Sequence, residues 1–228
     1  IFLFSWWSHP SLIPKTSPDS GLYLNLASDF HHHASKERPF IFPLLIRYCM
    51  KLTEHNWEET FSIIQISFHT LISICLFFLF QEFQVKKYIA FILTIFIGFN
   101  PSVIYYSTYI LADHLLAVLT TLSWIFTIKF SKNFHKRKKN YIDLIFIGVF
   151  SGLAIVTKPI SILAIFPIVL SIILTNGISY KMVRYIIVLF IINFSFHLLW
   201  EKYKEYNNPE LKFELIDHTE FSINMIAI

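Results

Sequence analysis

From Thr60 to Phe80 the chain runs without one charged residue. A helix that crosses the hydrocarbon layer of a bilayer needs about 20 mostly apolar residues, and this stretch supplies them. Five more stretches read the same way: Tyr88 to about Tyr106, His114–Ile128, Tyr141–Thr157, Ile160–Thr175 and Met182–Trp200. Asn100-Pro101 interrupts the second span, whose unbroken part, Tyr88–Phe99, is short for a crossing. Only Lys158-Pro159 separates the fourth from the fifth. Charged residues make up 15% of the chain, against about a quarter in soluble domains. Twenty-five phenylalanines exclude disorder, and two cysteines exclude a disulfide scaffold. The expected fold is all-α: a polytopic transmembrane helix bundle, one domain over 1–228. Ile1–Trp7 looks like the end of a further span. With Ile1 rather than an initiator Met, the expectation is a piece of a longer membrane protein, with 201–228 opening a later loop.

The formal net charge of +4 resolves into two opposed parts. The short loops 81–87, 129–143 and 176–184 hold ten Lys/Arg and two Asp/Glu. The longer segments 1–59, 100–113, 157–159 and 201–228 hold nine Lys/Arg and thirteen Asp/Glu. Dense Lys/Arg in short loops marks the cytoplasmic side. The first loop, near 8–59, and the 201–228 tail are therefore expected on the outer side of the cell membrane. Lys136-Arg137-Lys138-Lys139 then suits anionic membrane lipid at the cytoplasmic surface, and nucleic acid drops out as a partner.

Within the first loop, Gly21–Phe30 can form a short helix with Leu22, Leu26 and Phe30 on one face. Ile41–Leu52 can form another, studded with Arg47 and Lys51. Both suit helices lying in the interface plane.

Ionisable residues near a membrane interface are costly and tend to face cavities. Asp19, in Ser17-Pro18-Asp19-Ser20-Gly21, has a structural reading as a turn residue and helix N-cap, and a functional one as general base or metal ligand. Asp113-His114 opens the third span among apolar residues; the carboxylate caps the helix or, partly buried beside a histidine, serves a site. Lys158 and Arg38 either snorkel into headgroups or bind a lipid-linked phosphate. His31-His32-His33 point about 100° apart on a helix and cannot all reach one ion, so a surface cluster is the preferred reading. His69 and His197 lie inside spans and are expected to hydrogen-bond between helices. Cys75, in an apolar run, is expected to be inert.

Several of these residues stand in one order. Pro18-Asp19-Ser20-x-x-Tyr23-x-x-x-Ala27 resembles the first outer-loop motif of the GT-C superfamily of membrane glycosyltransferases, in the branch of protein O-mannosyltransferases and lipid A aminoarabinose transferases. Arg38-Pro39-Phe40-Ile41-Phe42-Pro43-Leu44-Leu45 is similar to that family's RPPLYPLL stretch, with Phe40 in place of its second proline. Asn100-Pro101, Tyr106-Ser107 and Leu111-Ala112-Asp113 resemble its loop into the next span, where many members carry Glu at the position of Asp113. Gly148, Gly152-Leu153-Ala154 and Thr157-Lys158-Pro159 resemble its G…GLA…TKP span.

The resemblance implies transfer of a sugar from a polyprenyl-phosphate-linked donor to a lipid, glycan or protein acceptor on the outer face. It implies Asp19 as catalytic base and Asp113 as a second acid orienting the acceptor or a divalent metal. Arg38 and Lys158 would neutralise the carrier phosphate, with Tyr23 and His114 beside the substrate. It also implies that the chain is the N-terminal, catalytic half of its protein. The competing readings are a multi-pass transporter or flippase, with Asp113 in a coupling role, and an assembly subunit with no site.

Overall fold

The computed structural model describes residues 13–28, 39–53, 56–134 and 141–207. Within them the elements are α1 (Pro18–Ser28), α2 (Ile41–Thr53), α3 (Trp57–Glu82), α4 (Lys87–Gly98), α5 (Pro101–Tyr106) and α6 (Asp113–Phe134). They continue with α7 (Tyr141–Ile155), a 3-10 segment (Pro159–Ala164), α8 (Ile165–Asn176) and α9 (Tyr180–Asn207). The described fold is an all-α polytopic bundle. Four stretches are long and apolar enough to cross a membrane: Trp57–Glu82, Asp113–Phe134, Pro159–Asn176 and Tyr180–Lys204. Less than half of each is buried within the bundle. Bulky side chains such as Phe96, Leu174 and Ile178 face outward, as expected where the solvent is lipid rather than water.

The stretch 88–106 departs from a single span. It divides into α4 and α5, and α4 is about 18 Å long at 1.5 Å per residue, against about 30 Å of hydrocarbon. The break is built by Asn100 and Pro101. The Asn100 side chain accepts the Ser102 N–H (2.9 Å), and Pro101 occupies the first helical turn, where its missing N–H costs nothing. Inside a membrane a broken helix must still satisfy its backbone. His69 Nε2 of α3 does so for the Gly98 carbonyl at 2.9 Å. The expected helix-to-helix bond therefore holds for His69. It fails for His197, which sits 3.9 Å from Glu201 one turn along its own helix.

Other boundaries also shift. Residues 129–134, assigned to a loop from their charges, continue α6, because lysines can lie along its apolar surface: Lys129 covers the Phe126 ring and Lys132 pairs with Glu82 of α3 at 2.9 Å. The start of 160–175, through Ala164, is 3-10 rather than α. Residues 201–207, expected in a loop, extend α9. Phe40, the departure from the proline-rich stretch, explains that extension: its ring lies 6.0 Å from Trp200 and 5.0 Å from Tyr203.

α6 packs between α3 and α7, and α7 against α9. The α7–α9 crossing is close because Gly148 and Gly152 face Ile192 and Phe196. A Cβ on Gly152 would come within 2.2 Å of the Phe196 ring. Below it, Phe130, Leu144, Ile147, Ile168, Ile172, Met182, Tyr185 and Leu189 form one buried cluster. A second cluster occupies the opposite end of α6, under α1 and α2.

Candidate functional site

The site is built around the connection between α5 and α6, residues 107–112. This segment is not helical, so its backbone groups need partners from elsewhere. Lys15, just before α1, forms a parallel bridge to it: the Lys15 N–H donates to the Thr108 carbonyl (2.7 Å), and the Ile110 N–H donates to the Lys15 carbonyl (3.0 Å). Ser20 Oγ donates to the Ile110 carbonyl at 3.0 Å. Gln65 Nε2 of α3 donates to the carbonyls of Tyr109 (3.1 Å) and Leu111 (3.0 Å). Only the amide nitrogen can face two carbonyls, which fixes the orientation of Gln65. Beneath, Ile110 and Ala112 pack with Tyr23, Phe42, Ile46 and Phe61. The α1 segment and the loop into α6 are thus fastened by both backbone and core.

This fastening brings Asp19 and Asp113 to one end of the bundle. Asp19 lies in the first turn of α1, half-buried, where the helix dipole favours its charge. It does not occupy the cap. α1 starts at Pro18, so Ser17 precedes it, and the Ser17 N–H reaches back to Ser20 Oγ (2.8 Å) in the manner of a capping box. Ser20 gives its one proton to Ile110, so the 2.9 Å contact between Ser17 Oγ and Ser20 Oγ is donated by Ser17. The face of α1 turned to the core also differs from the expected one. Tyr23, Leu26 and Ala27 are buried and Leu22 is exposed, since Tyr23 meets the Phe42 ring at 4.9 Å. Phe30 falls outside the described residues.

Asp113 starts α6, and Lys158 stands between α7 and the 3-10 segment. The Pro159 ring keeps Lys158 out of the helical region (φ −152°, ψ 114°). Its carbonyl accepts both the Ser161 N–H (3.0 Å) and Ser161 Oγ (2.7 Å). So held, Lys158 Nζ meets Asp113 Oδ1 at 2.7 Å across 45 residues of sequence. Side-chain exposures of 29% for Lys158 and 49% for Asp113 leave the pair open to an approaching ligand. Asp113 is thus more exposed than its apolar neighbours suggest. Ion pairs this exposed add about 1 kcal/mol or less to stability, so packing needs do not explain the arrangement.

Asp113 lies at the edge of a cavity of about 460 Å³ whose remaining wall includes Ile72, Ile97, Val103, Tyr106 and Leu111. His114 also lines it, although its ring is 5% exposed and stands 5.8 Å from His69. Tyr106 joins Tyr105 and Tyr109 in an aromatic rim. The Tyr105 and Tyr109 hydroxyls share a hydrogen bond of 2.6 Å, which holds the Tyr109 phenol above its usual range, and Lys15 Nζ lies 4.8 Å over the Tyr105 ring.

Of the residues singled out from the sequence, the structure brings Asp113 and His114 to one cavity and pairs Lys158 with Asp113, with Asp19 on the segment fastened to the loop before Asp113. Tyr23 is buried to 1% in the core beneath, bracing α1 rather than facing the cavity. Arg38, His31, His32 and His33 lie outside the described residues. Among those described, no three His, Cys, Asp or Glu side chains gather closely enough to hold a metal ion. Cys49 and Cys75 are buried and unpaired by disulfide; burial pushes the Cys49 thiol up, away from reactivity.

Sequence reasoning missed Gln65, Ser20 and Lys15. Gln65 carried a signal: it and His69 are polar residues one helical turn apart inside an otherwise uncharged span, and such residues usually face the bundle interior. Ser20 and Lys15 carried none, since both act through backbone groups about 90 residues away.

A family model described as dolichyl-phosphate-mannose-protein mannosyltransferase matches residues 53–203. The match begins at the end of α2 and includes Gln65, Asp113 and Lys158. No curated protein and no solved structure matches the chain.

Proposed function

Since the chain belongs to the dolichyl-phosphate-mannose-protein mannosyltransferase family, we propose that the Asp113 end of the bundle takes a polyprenyl-phosphate-linked sugar, mannose by family, and moves it to an acceptor hydroxyl. The observation that carries this reading is the partly exposed Asp113–Lys158 ion pair, whose Asp113 lines an apolar cavity. A polyprenyl phosphate has those two parts, an anionic head and a hydrocarbon tail. The first isoprene units fit the cavity walled by Ile72, Ile97 and Leu111, while Lys158 offers its charge to the phosphate. The phosphate takes up the bonding electrons as the sugar C1–O bond breaks, and a fixed cation there stabilises the developing charge.

Asp19 acts as general base. It accepts the acceptor's hydroxyl proton as that oxygen attacks C1 from the face opposite the phosphate, so the anomeric carbon inverts. Two features support the assignment. Asp19 lies half-buried in the first turn of α1, and the Lys15 bridge and Ser20 bond fasten this segment to the loop leading into Asp113. Asp113 holds Lys158 in position until the phosphate arrives and then orients the acceptor. His114 forms part of the cavity wall. Arg38, on the resemblance alone, adds a second cation for the phosphate. The charge bias of the loops supports an outer-side position for this end in the cell membrane.

The test is Asp19→Asn in the full-length protein, assayed in membranes with radiolabelled polyprenyl-phosphate mannose. Transfer is expected to fall about 10²–10⁴-fold at unchanged protein level. Transfer at the wild-type rate would remove Asp19 as the base.

A further inference from the structure

A second cavity, of about 510 Å³, lies between α2 and the α3–α6 pair and shares no lining residue with the cavity beside Asp113. Phe68 and Leu115 form its floor, whereas Ile72 and Ala117, about one turn or less further along the same helices, face the cavity beside Asp113. Its apolar wall is completed by Ile41, Leu44 and Leu45 of α2, and its rim carries Arg47, Tyr48 and Lys51. Arg47 and Lys51 stand one helical turn apart, so both charges project from one face. No acidic side chain occurs in α2 or among the residues lining this cavity. Leu44, Tyr48 and Leu52 are 44%, 60% and 59% exposed, which opens this side of α2 to its surroundings.

We propose that this groove is a binding site for one anionic phospholipid of the surrounding bilayer, separate from the cavity beside Asp113. An acyl chain fills the apolar floor, because an unfilled groove forfeits dispersion contacts along its whole lining. The headgroup phosphate lies against Arg47 and Lys51, with the Lys51 stem along the helix and its ammonium at headgroup level. Arg47 also donates to the Ala27 carbonyl at 3.4 Å, which holds the guanidinium in place beside the groove. A zwitterionic lipid brings its own cation to the same two charges and is disfavoured. The charge complementarity selects the headgroup, and the apolar floor demands that it be attached to a chain. This inference stands or falls independently of sugar transfer.

The experiment is native mass spectrometry of the full chain in detergent with equimolar phosphatidylglycerol and phosphatidylcholine of equal chain length. The wild type is expected to retain phosphatidylglycerol about tenfold over phosphatidylcholine, from two cations near one headgroup. Arg47→Gln with Lys51→Gln should bring the ratio close to one. Should that double variant fail to fold, Lys51→Gln alone, at an exposed position, should lower the ratio about threefold. Lys86→Gln with Lys87→Gln, at the opposite end of the bundle, should leave it unchanged. Leu45→Trp should expel both lipids by filling the groove. The proposal is overturned by equal retention of the two lipids in the wild type, or by a ratio that survives Arg47→Gln with Lys51→Gln. It also fails if Lys86→Gln with Lys87→Gln collapses the ratio, or if glycerol phosphate lacking acyl chains displaces the lipid at equal concentration. Retention confined to a dimer of the chain would assign the groove to a second copy instead.

Discussion

The two buried clusters of this bundle are made in opposite ways. At the Lys132 end, Phe130, Leu144, Ile147, Ile168, Ile172, Met182, Tyr185 and Leu189 come from four regular helices, α6 to α9. Their backbone is paired inside the helices, so the cluster needs only shape, as where Phe130 meets Tyr185 edge-on at 5.4 Å. At the Asp113 end, Tyr23, Ala27, Phe42, Ile46, Cys49 and Phe61 come from two short helices and the start of α3, and Ile110 and Ala112 from a connection with no helix of its own. There the backbone must be paired from outside, by Lys15, Ser20 and Gln65. Irregular backbone fastened in this way can aim side chains that a straight helix would leave facing lipid, and it is at this end that Asp113 and Lys158 meet. Each end also has an exposed ion pair, Lys132–Glu82 at 2.9 Å and Lys158–Asp113 at 2.7 Å, but only the second borders one of the cavities described above.

The contrast can be broken in graded steps. The largest effect is expected from Gly152→Leu. It drives a side chain into the Phe196 ring and should cost more than about 3 kcal/mol, read as loss of monodisperse protein in detergent. Next is Phe130→Ala. Burial from lipid brings little transfer energy, so mainly the cavity term remains, about 2–3 kcal/mol in thermal unfolding, with sugar transfer per folded molecule unchanged. Gln65→Leu should cost about 2 kcal/mol, because the Tyr109 and Leu111 carbonyls lose their donor. Unlike Phe130→Ala, it should also lower transfer per folded molecule. Loss of transfer on Phe130→Ala, or none on Gln65→Leu, would break the division between the two ends. The smallest stability effects should come from Lys158→Gln and Lys132→Gln, each about 1 kcal/mol or less. They separate in assay: Lys158→Gln should reduce transfer at least tenfold and raise the donor KM, while Lys132→Gln leaves both unchanged.

Most of the Lys132 end was legible in the sequence. Long apolar runs in α3, α6 and α9 announce themselves by composition alone, since a chain in lipid must pair its own backbone. The ends of those helices were less so. Lys129 and Lys132 look like loop residues by charge yet ride on α6, and Phe40 draws α9 onward from a position 160 residues earlier. At the Asp113 end the sequence offered candidates one at a time. Asp19, Asp113 and Lys158 each had a plain structural reading, as caps or a snorkelling amine.

By itself, then, the sequence determined what depends on neighbours along the chain: the long apolar spans, the break at Asn100-Pro101, the charge bias between the ends, and the match to the mannosyltransferase family over 53–203. The tertiary structure decided what depends on residues far apart. It bonded Ser17 to Ser20 at the start of α1, paired Asp113 with Lys158, buried Tyr23, and turned Gln65 from one polar residue in an apolar run into the clamp of the α5–α6 connection. The physical reason is that hydrophobic span and turn signals are local, whereas a buried carbonyl accepts whichever donor the packed fold brings within 3 Å.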